Sequence, residues 1–136
     1  MSPTSTVRLR WFAGLYALII GVIVWLANDG GFAYVFSWWR SIPGADKIGH
    51  FLLMGGFAFT LNLALGLRQF TFARRSWLWG SAIVAVIVSL EELSQAWVPS
   101  RTFDLVDLTF DFLGILFFGW LAKKTVRPPT TATLRA

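Results

Sequence analysis

The sequence predicts an all-α transmembrane bundle of four helices with both termini cytoplasmic and an apolar interfacial segment in the first outer loop. Three observations predict it. The 136-residue chain is 56% hydrophobic and only 14% charged, where a soluble domain carries about 25% charged residues. Its apolar residues gather into four long runs rather than into short alternating segments. Its Lys and Arg residues fall mainly on one side of the membrane that those runs imply.

The first run covers residues 11–27 and holds no charge. A basic start at Arg8 and Arg10 gives it some likeness to a secretory signal. The core is long for that role, however, and Trp25 stands where a small residue should precede a cut at Ala27, so the reading is a retained span. The second run, 48–67, contains His50 and Asn62. The third, 77–98, contains Glu91, Glu92 and Gln95. The fourth, 105–122, has Asp107 and Asp111 in its first half. About 20 residues of helix cross a bilayer, so all four have roughly the needed length. Helix is the default conformation because it satisfies its own backbone in lipid. This divides the chain into an N-terminal arm (1–10), a four-helix domain (11–122) and a basic tail (123–136) expected to be disordered. Small residues recur every fourth position at Ala13, Ala17 and Gly21, and again at Ser81, Ala85 and Ser89, a pattern that allows close helix approach in lipid.

Orientation follows from the distribution of charge. With the amino terminus inside, Arg8, Arg10, Arg68, Arg74, Arg75, Lys123, Lys124, Arg127 and Arg135 lie on the cytoplasmic side, and Arg40, Lys47 and Arg101 lie outside. Excess Lys and Arg marks the inner side, where it also favours anionic headgroups. All seven acids fall in outer loops or outer halves of spans. Tryptophans mark both boundaries: Trp11, Trp77, Trp79 and Trp120 the inner one, Trp25, Trp38, Trp39 and Trp97 the outer one. Residues 30–39 are too apolar for open water and too short to span. They are expected to lie in the outer interface, roofing the space beneath.

The polar residues keep helical spacing. Asp46 and His50 are four apart, and Glu92 and Gln95 are three apart. Asp104, Asp107, Asp111 and Gly114 form one stripe. Pro99 is expected to end the third helix. Counted from there, Glu92 sits about 10 Å deep, near Asp111, with Gln95 near Asp107. Ionisable groups within a span are retained when they face a bundle interior, pair, or line a path. The expected catalytic set is therefore His50 as proton carrier, Glu92 orienting it or acting as acid and base, and Asp107 and Asp111 as carboxylate partners. Asp46, Lys47, Gln95, Arg101 and Asp104 form the binding set, with Lys47 and Arg101 suited to an anionic headgroup. Read singly, the same residues have structural roles: Asp104 as a helix cap, Asp107 with Arg101 as an ion pair, and Glu91 turned toward headgroups.

The chain has no cysteine, which excludes disulfides and thiolate metal sites. One imidazole with several carboxylates suits a divalent cation as cofactor. No phosphate-binding glycine loop, dinucleotide fingerprint or nucleophile elbow is present, so neither nucleotide nor nucleic acid is an expected partner. The expected partners are membrane lipids and a lipid-linked cell-wall precursor.

Two motif runs resemble the VanZ-like membrane proteins. Asp46-Lys47-Ile48-Gly49-His50-Phe51 is similar to that family's D-K-x-x-H-F opening. Glu92-Leu93-Ser94-Gln95, Pro99-Ser100-Arg101, Asp104 and Asp107 are similar to its E-x-x-Q, P-x-R and D-x-x-D run, and Gly114 matches the glycine that follows. The likeness covers residues 46–122. Asp111 departs from it, standing where the family commonly has Asn. The resemblance implies a multi-pass protein of the bacterial cytoplasmic membrane, part of the cell envelope and a relative of a protein linked to low-level teicoplanin resistance. It supplies a topology and a candidate site rather than a reaction. The expectations that follow are an envelope-modifying enzyme acting at the outer leaflet, or a non-catalytic protein that binds a lipid, an antibiotic or a partner. A transporter is disfavoured because the inner halves of the spans are nearly free of ionisable groups.

Overall fold

The computed structural model describes residues 3–29, 37, 41–95, 97 and 104–126. Among them are four helices: α1 (Pro3–Asp29), α2 (Ala45–Ala64), α3 (Trp79–Gln95) and α4 (Leu105–Thr125). A two-stranded antiparallel hairpin, β1 (Gln69–Phe72) and β2 (Arg75–Leu78), joins α2 to α3. The helical class expected from the sequence stands, and the hairpin is an addition to it. The arm assigned to residues 1–10 is helical from Pro3, a residue that suits a first helical position because its missing N–H is unpaired there anyway. The outer-loop segment (30–39, Ser37 excepted) and the tail beyond Val126 lie outside the described residues.

Helix α2 is central and packs against each of the other three, most extensively against α4. Its start follows Gly44, whose φ of 76° is a left-handed conformation that glycine adopts without penalty. Its end is a Schellman turn. The Leu67 N–H donates to the Asn62 carbonyl (2.8 Å) and the Gly66 N–H to the Leu63 carbonyl (3.0 Å), with Gly66 left-handed at 64°. The hairpin that follows pairs Phe72 with Arg75, so Ala73 and Arg74 alone make the turn. Both have positive φ (50° and 63°), the type I′ geometry that matches strand twist. The ladder closes where the Trp79 N–H donates to the Arg68 carbonyl (3.0 Å).

Side chains set the helix directions. Tyr16 of α1 stacks on Phe57 (5.9 Å between ring centres) and donates its hydroxyl to the Leu53 carbonyl, while Thr6 and Arg10 lie beside Ala64 and Leu65 at the end of α2, so α1 runs antiparallel to α2. Asn62, near the end of α2, meets the start of α3. Its Nδ2 donates to Ser81 Oγ (2.9 Å), and its Oδ1 accepts the Ser81 backbone N–H (3.0 Å). Asn62 is 1% exposed, so this side chain caps a neighbouring helix inside the core. Helices α2 and α4 run parallel: Lys47 meets Asp104 and Asp107, His50 meets Asp111, and Phe59 packs edge-on against Phe118, so position rises together along both. Gly55 and Gly114 face each other at their seam, where an added Cβ on Gly114 would strike the Phe51 carbonyl and one on Gly55 the Phe118 ring.

The apolar core comprises Phe57, Ala58, Val84, Val88 and Ile115, with Tyr16, Ile20, Met54, Leu61, Ala85 and Leu108 packed around it. The small-residue stripe of α3 takes part, through Ser81 and Ala85. That of α1 does not: Ala13 is buried, but Ala17 and Gly21 are exposed, and nothing lies within 4 Å of a Cβ placed on Gly21. The outward faces are apolar, with Trp11 78%, Leu18 63%, Leu90 63% and Leu116 54% exposed. Apolar surface this extensive is atypical of a water-facing monomer. Two helices, over Thr6–Leu26 and Leu105–Thr125, are long and apolar enough to cross a membrane.

Candidate functional site

The parallel packing of α2 and α4 brings their first turns together, and the polar residues of both helices meet there. Asp104 is the N-cap of α4; its Oδ1 accepts the Val106 N–H at 2.7 Å, satisfying one of the free donors of that helix end. Lys47, in the first turn of α2, reaches across. Its Nζ contacts Asp46 Oδ2 at 2.8 Å, Asp104 Oδ2 at 3.3 Å and Asp107 Oδ1 at 2.5 Å. An ammonium has three N–H donors, and three carboxylates occupy them. The hydrogen bond to Asp107, followed by that to Asp46, pushes the Lys47 ammonium above its ordinary pKa. Lys47 in turn holds Asp46 below the usual carboxylate range. Asp104 is also held low, first by the Val106 N–H and then by Lys47.

One turn further down lies His50. Its Nδ1 is 3.0 Å from Asp111 Oδ1, a hydrogen bond, and its Nε2 is 3.6 Å from Asp107 Oδ2, beyond one. Asp107 thus divides its two oxygens between Lys47 and His50. Burial is graded along this chain. The Asp111 side chain is 3% exposed, those of His50, Asp107 and Lys47 between 20% and 23%, and those of Asp46 and Asp104 about 40%. The Asp111–His50 contact needs one proton between its two atoms. With that proton on Nδ1, Nε2 becomes the basic nitrogen, turned toward Asp107 and the open rim. A buried carboxylate that fixes the tautomer and orientation of a partly exposed imidazole is the arrangement of a general base.

Glu92 does something other than the sequence suggests. It is 1% exposed. Its Oε1 accepts the Asp104 backbone N–H at 2.6 Å and its Oε2 accepts from Gln95 Nε2 at 3.1 Å. This strap ties the end of α3 to the cap of α4 and puts the Glu92 carboxylate at the level of Asp104, where its depth was expected to match that of Asp111. The physical reason is helix length. Helix α3 ends at Gln95, four residues short of Pro99, so Glu92 lies near the helix end rather than 10 Å below it. It still shares the electrostatic surroundings of His50 and Asp107. Gln95 is 4% exposed and also donates to both carboxylate oxygens of Glu91 at 3.0 Å.

The other cation of the expected binding set, Arg101, lies outside the described residues, and with it the expected ion pair to Asp107. Lys47 is engaged by acids rather than poised for an anion. An anionic headgroup would have to displace a carboxylate from it. Among the described residues no group of three His, Asp or Glu side chains is placed to hold a metal ion.

No family model matches the chain, and no curated protein or solved structure matches it either.

Two contributions carry no local signal in the sequence. Asn62 was visible only as an isolated polar residue in an apolar run, and nothing local signals that it caps another helix. Gly55 had no partner to betray it, since the glycine it faces lies 59 positions away.

Proposed function

We propose that this chain is a multi-pass protein of the bacterial cytoplasmic membrane, its four helices spanning with both termini inside. In this reading it is related to the VanZ-like proteins and acts at the outer leaflet on a lipid or lipid-linked cell-wall precursor. The observation that carries the reading is the imidazole of His50 held by buried Asp111 on one nitrogen and facing Asp107 with the other. His50 Nε2 takes a proton from a hydroxyl or amine of the substrate. Asp111 stabilises the imidazolium that results, and Asp107 receives or returns the proton at the rim. Lys47 and Asp104 hold Asp107 in place, and Glu92 and Gln95 hold the α3–α4 junction. The surplus of carboxylates over cations favours a neutral or cationic group at the reacting position. The extensive exposed apolar surface supports a lipid surround, and the two apolar helices support the spanning orientation.

Membrane vesicles holding wild-type protein, given a total lipid and precursor extract, should convert one species to a new mass. His50→Gln should slow conversion by at least about a hundredfold, the usual size of a general acid–base contribution, while the protein still inserts. Equal conversion by wild type and His50→Gln would sink the mechanism. A second reading, binding without chemistry, is favoured by the internal saturation of Lys47 and Glu92. Its signature is an unmodified amphiphile that co-purifies with wild type and with His50→Gln alike.

A further inference from the structure

At the end of the bundle opposite His50, a cavity of about 250 Å³ opens between the start of α1 and the Schellman turn of α2, lined by Thr6, Arg10, Ala64, Leu65, Gly66 and Arg68. No lining residue is acidic, and among the described residues neither arginine makes an ion pair. The backbone donors of the turn are spent, because the Leu65, Gly66 and Leu67 N–H groups all donate to carbonyls of α2. The α1 N-terminus and the α2 C-terminus carry opposite partial charges of about half a unit, which offset each other. Two full guanidinium charges therefore decide the field in the cavity.

We propose that this cavity binds a phosphate group, with Arg10 and Arg68 gripping its oxygens from two sides. A planar guanidinium presents paired N–H donors that match phosphate geometry. The volume falls below the roughly 300 Å³ of a small drug pocket, so it suits a phosphate with a few attached atoms. Ala64 and Leu65 give those atoms an apolar wall. Exposed Trp11 (78%), Trp79 (48%) and Phe72 (68%) stand at the same end, which is headgroup depth for aromatic side chains. On the membrane reading proposed above, the phosphate is that of an anionic phospholipid of the inner leaflet; a free phosphate would meet the same two arginines.

The test uses full-length protein in detergent, titrated with phosphatidylglycerol or phosphatidylcholine and weighed by native mass spectrometry. Wild type should prefer phosphatidylglycerol. A hydrogen bond to a charged group contributes at least about tenfold, so Arg10→Gln with Arg68→Gln should weaken that preference by roughly a hundredfold. Arg75→Gln, on the hairpin and outside the cavity, should leave it unchanged. A parallel arm adds inorganic phosphate without lipid and follows thermal stability. A phosphate-induced rise that the double variant abolishes, without lipid preference, assigns the site to a soluble phosphate. Equal lipid preference in wild type and double variant, with no phosphate-dependent difference between them, overturns the proposal. Failure of the membrane reading would show separately, as protein released from membranes by alkaline carbonate.

Discussion

At the scale of single residues, Lys47 and His50 divide the work. Lys47 bridges three carboxylates that would otherwise repel one another more strongly, and His50 holds one nitrogen on Asp111 and turns the other toward Asp107. Lys47→Met should therefore lower thermal stability, by about 1–2 kcal/mol for lost hydrogen bonds to charged groups, as measured by unfolding in detergent. The pH dependence follows from the same cluster. Asp46 and Asp104 have folded pKa values below their unfolded ones, so their contribution is complete above about pH 4 and fades as pH falls through the folded values. Lys47 is raised, so its contribution is complete below about pH 10 and fades as pH rises through its folded value. Wild type should lose stability at both extremes, and Lys47→Met should lose less at the acid end; identical acid limbs would show that the cluster does not act this way. The Asp104 cap was legible in the sequence, since an acid directly before an apolar run reads as an N-cap. The role of Glu92 was not. The only signal in the sequence for the end of its helix is Pro99, four residues beyond the end of α3, and a backbone N–H offers no sequence signal as a partner.

Among the secondary-structure elements, the parallel α2–α4 seam matters most, because it sets His50 against Asp111. Gly114→Ala should disrupt it, since the new methyl meets the backbone carbonyl of Phe51, which cannot rotate away. A cost of about 1–3 kcal/mol is ordinary for such overpacking, and it should bring loss of whatever activity His50 supports. Gly14→Ala and Gly21→Ala meet nothing within 4 Å and should unfold no earlier than wild type. Asn62→Leu strands the Ser81 N–H and should cost about 1–3 kcal/mol; an unchanged melting temperature would remove Asn62 as a cap. Gly114 stood out in the sequence because it continues the aspartate stripe. The hairpin did not stand out, because Ala73-Arg74 lacks the Asn-Gly or Gly-Gly signature that normally marks a two-residue turn. The α1 stripe illustrates the opposite case: small residues at helical spacing with, among the described residues, no helix against most of them.

For the molecule as a whole, the acids gather at one end of the bundle and the arginine-lined cavity opens at the other. That polarity was readable from the order of charges along the chain, because each helix reverses the chain's direction and turns sequence position into a place at one end of the bundle or the other. What linear order could not supply was rotation about each helix axis, which decides whether a polar residue meets a neighbour or faces outward. The proposed topology has a direct test, since a chain without cysteine accepts single reporters cleanly. A cysteine at Ser41 should react with an impermeant maleimide in intact cells, and one at Arg74 only after permeabilisation; the reverse pattern would invert the orientation, and labelling of both from outside would remove the single crossing by α2 that separates them, and the membrane reading with it. The parallel seam also has a consequence for biosynthesis. His50 leaves the ribosome well before Asp107 and Asp111, and domains assemble from the amino terminus during synthesis. The nascent protein therefore carries an imidazole without its two carboxylate partners, and an ammonium with only Asp46, until α4 arrives, so the cluster is completed only by the last of the four helices to be translated.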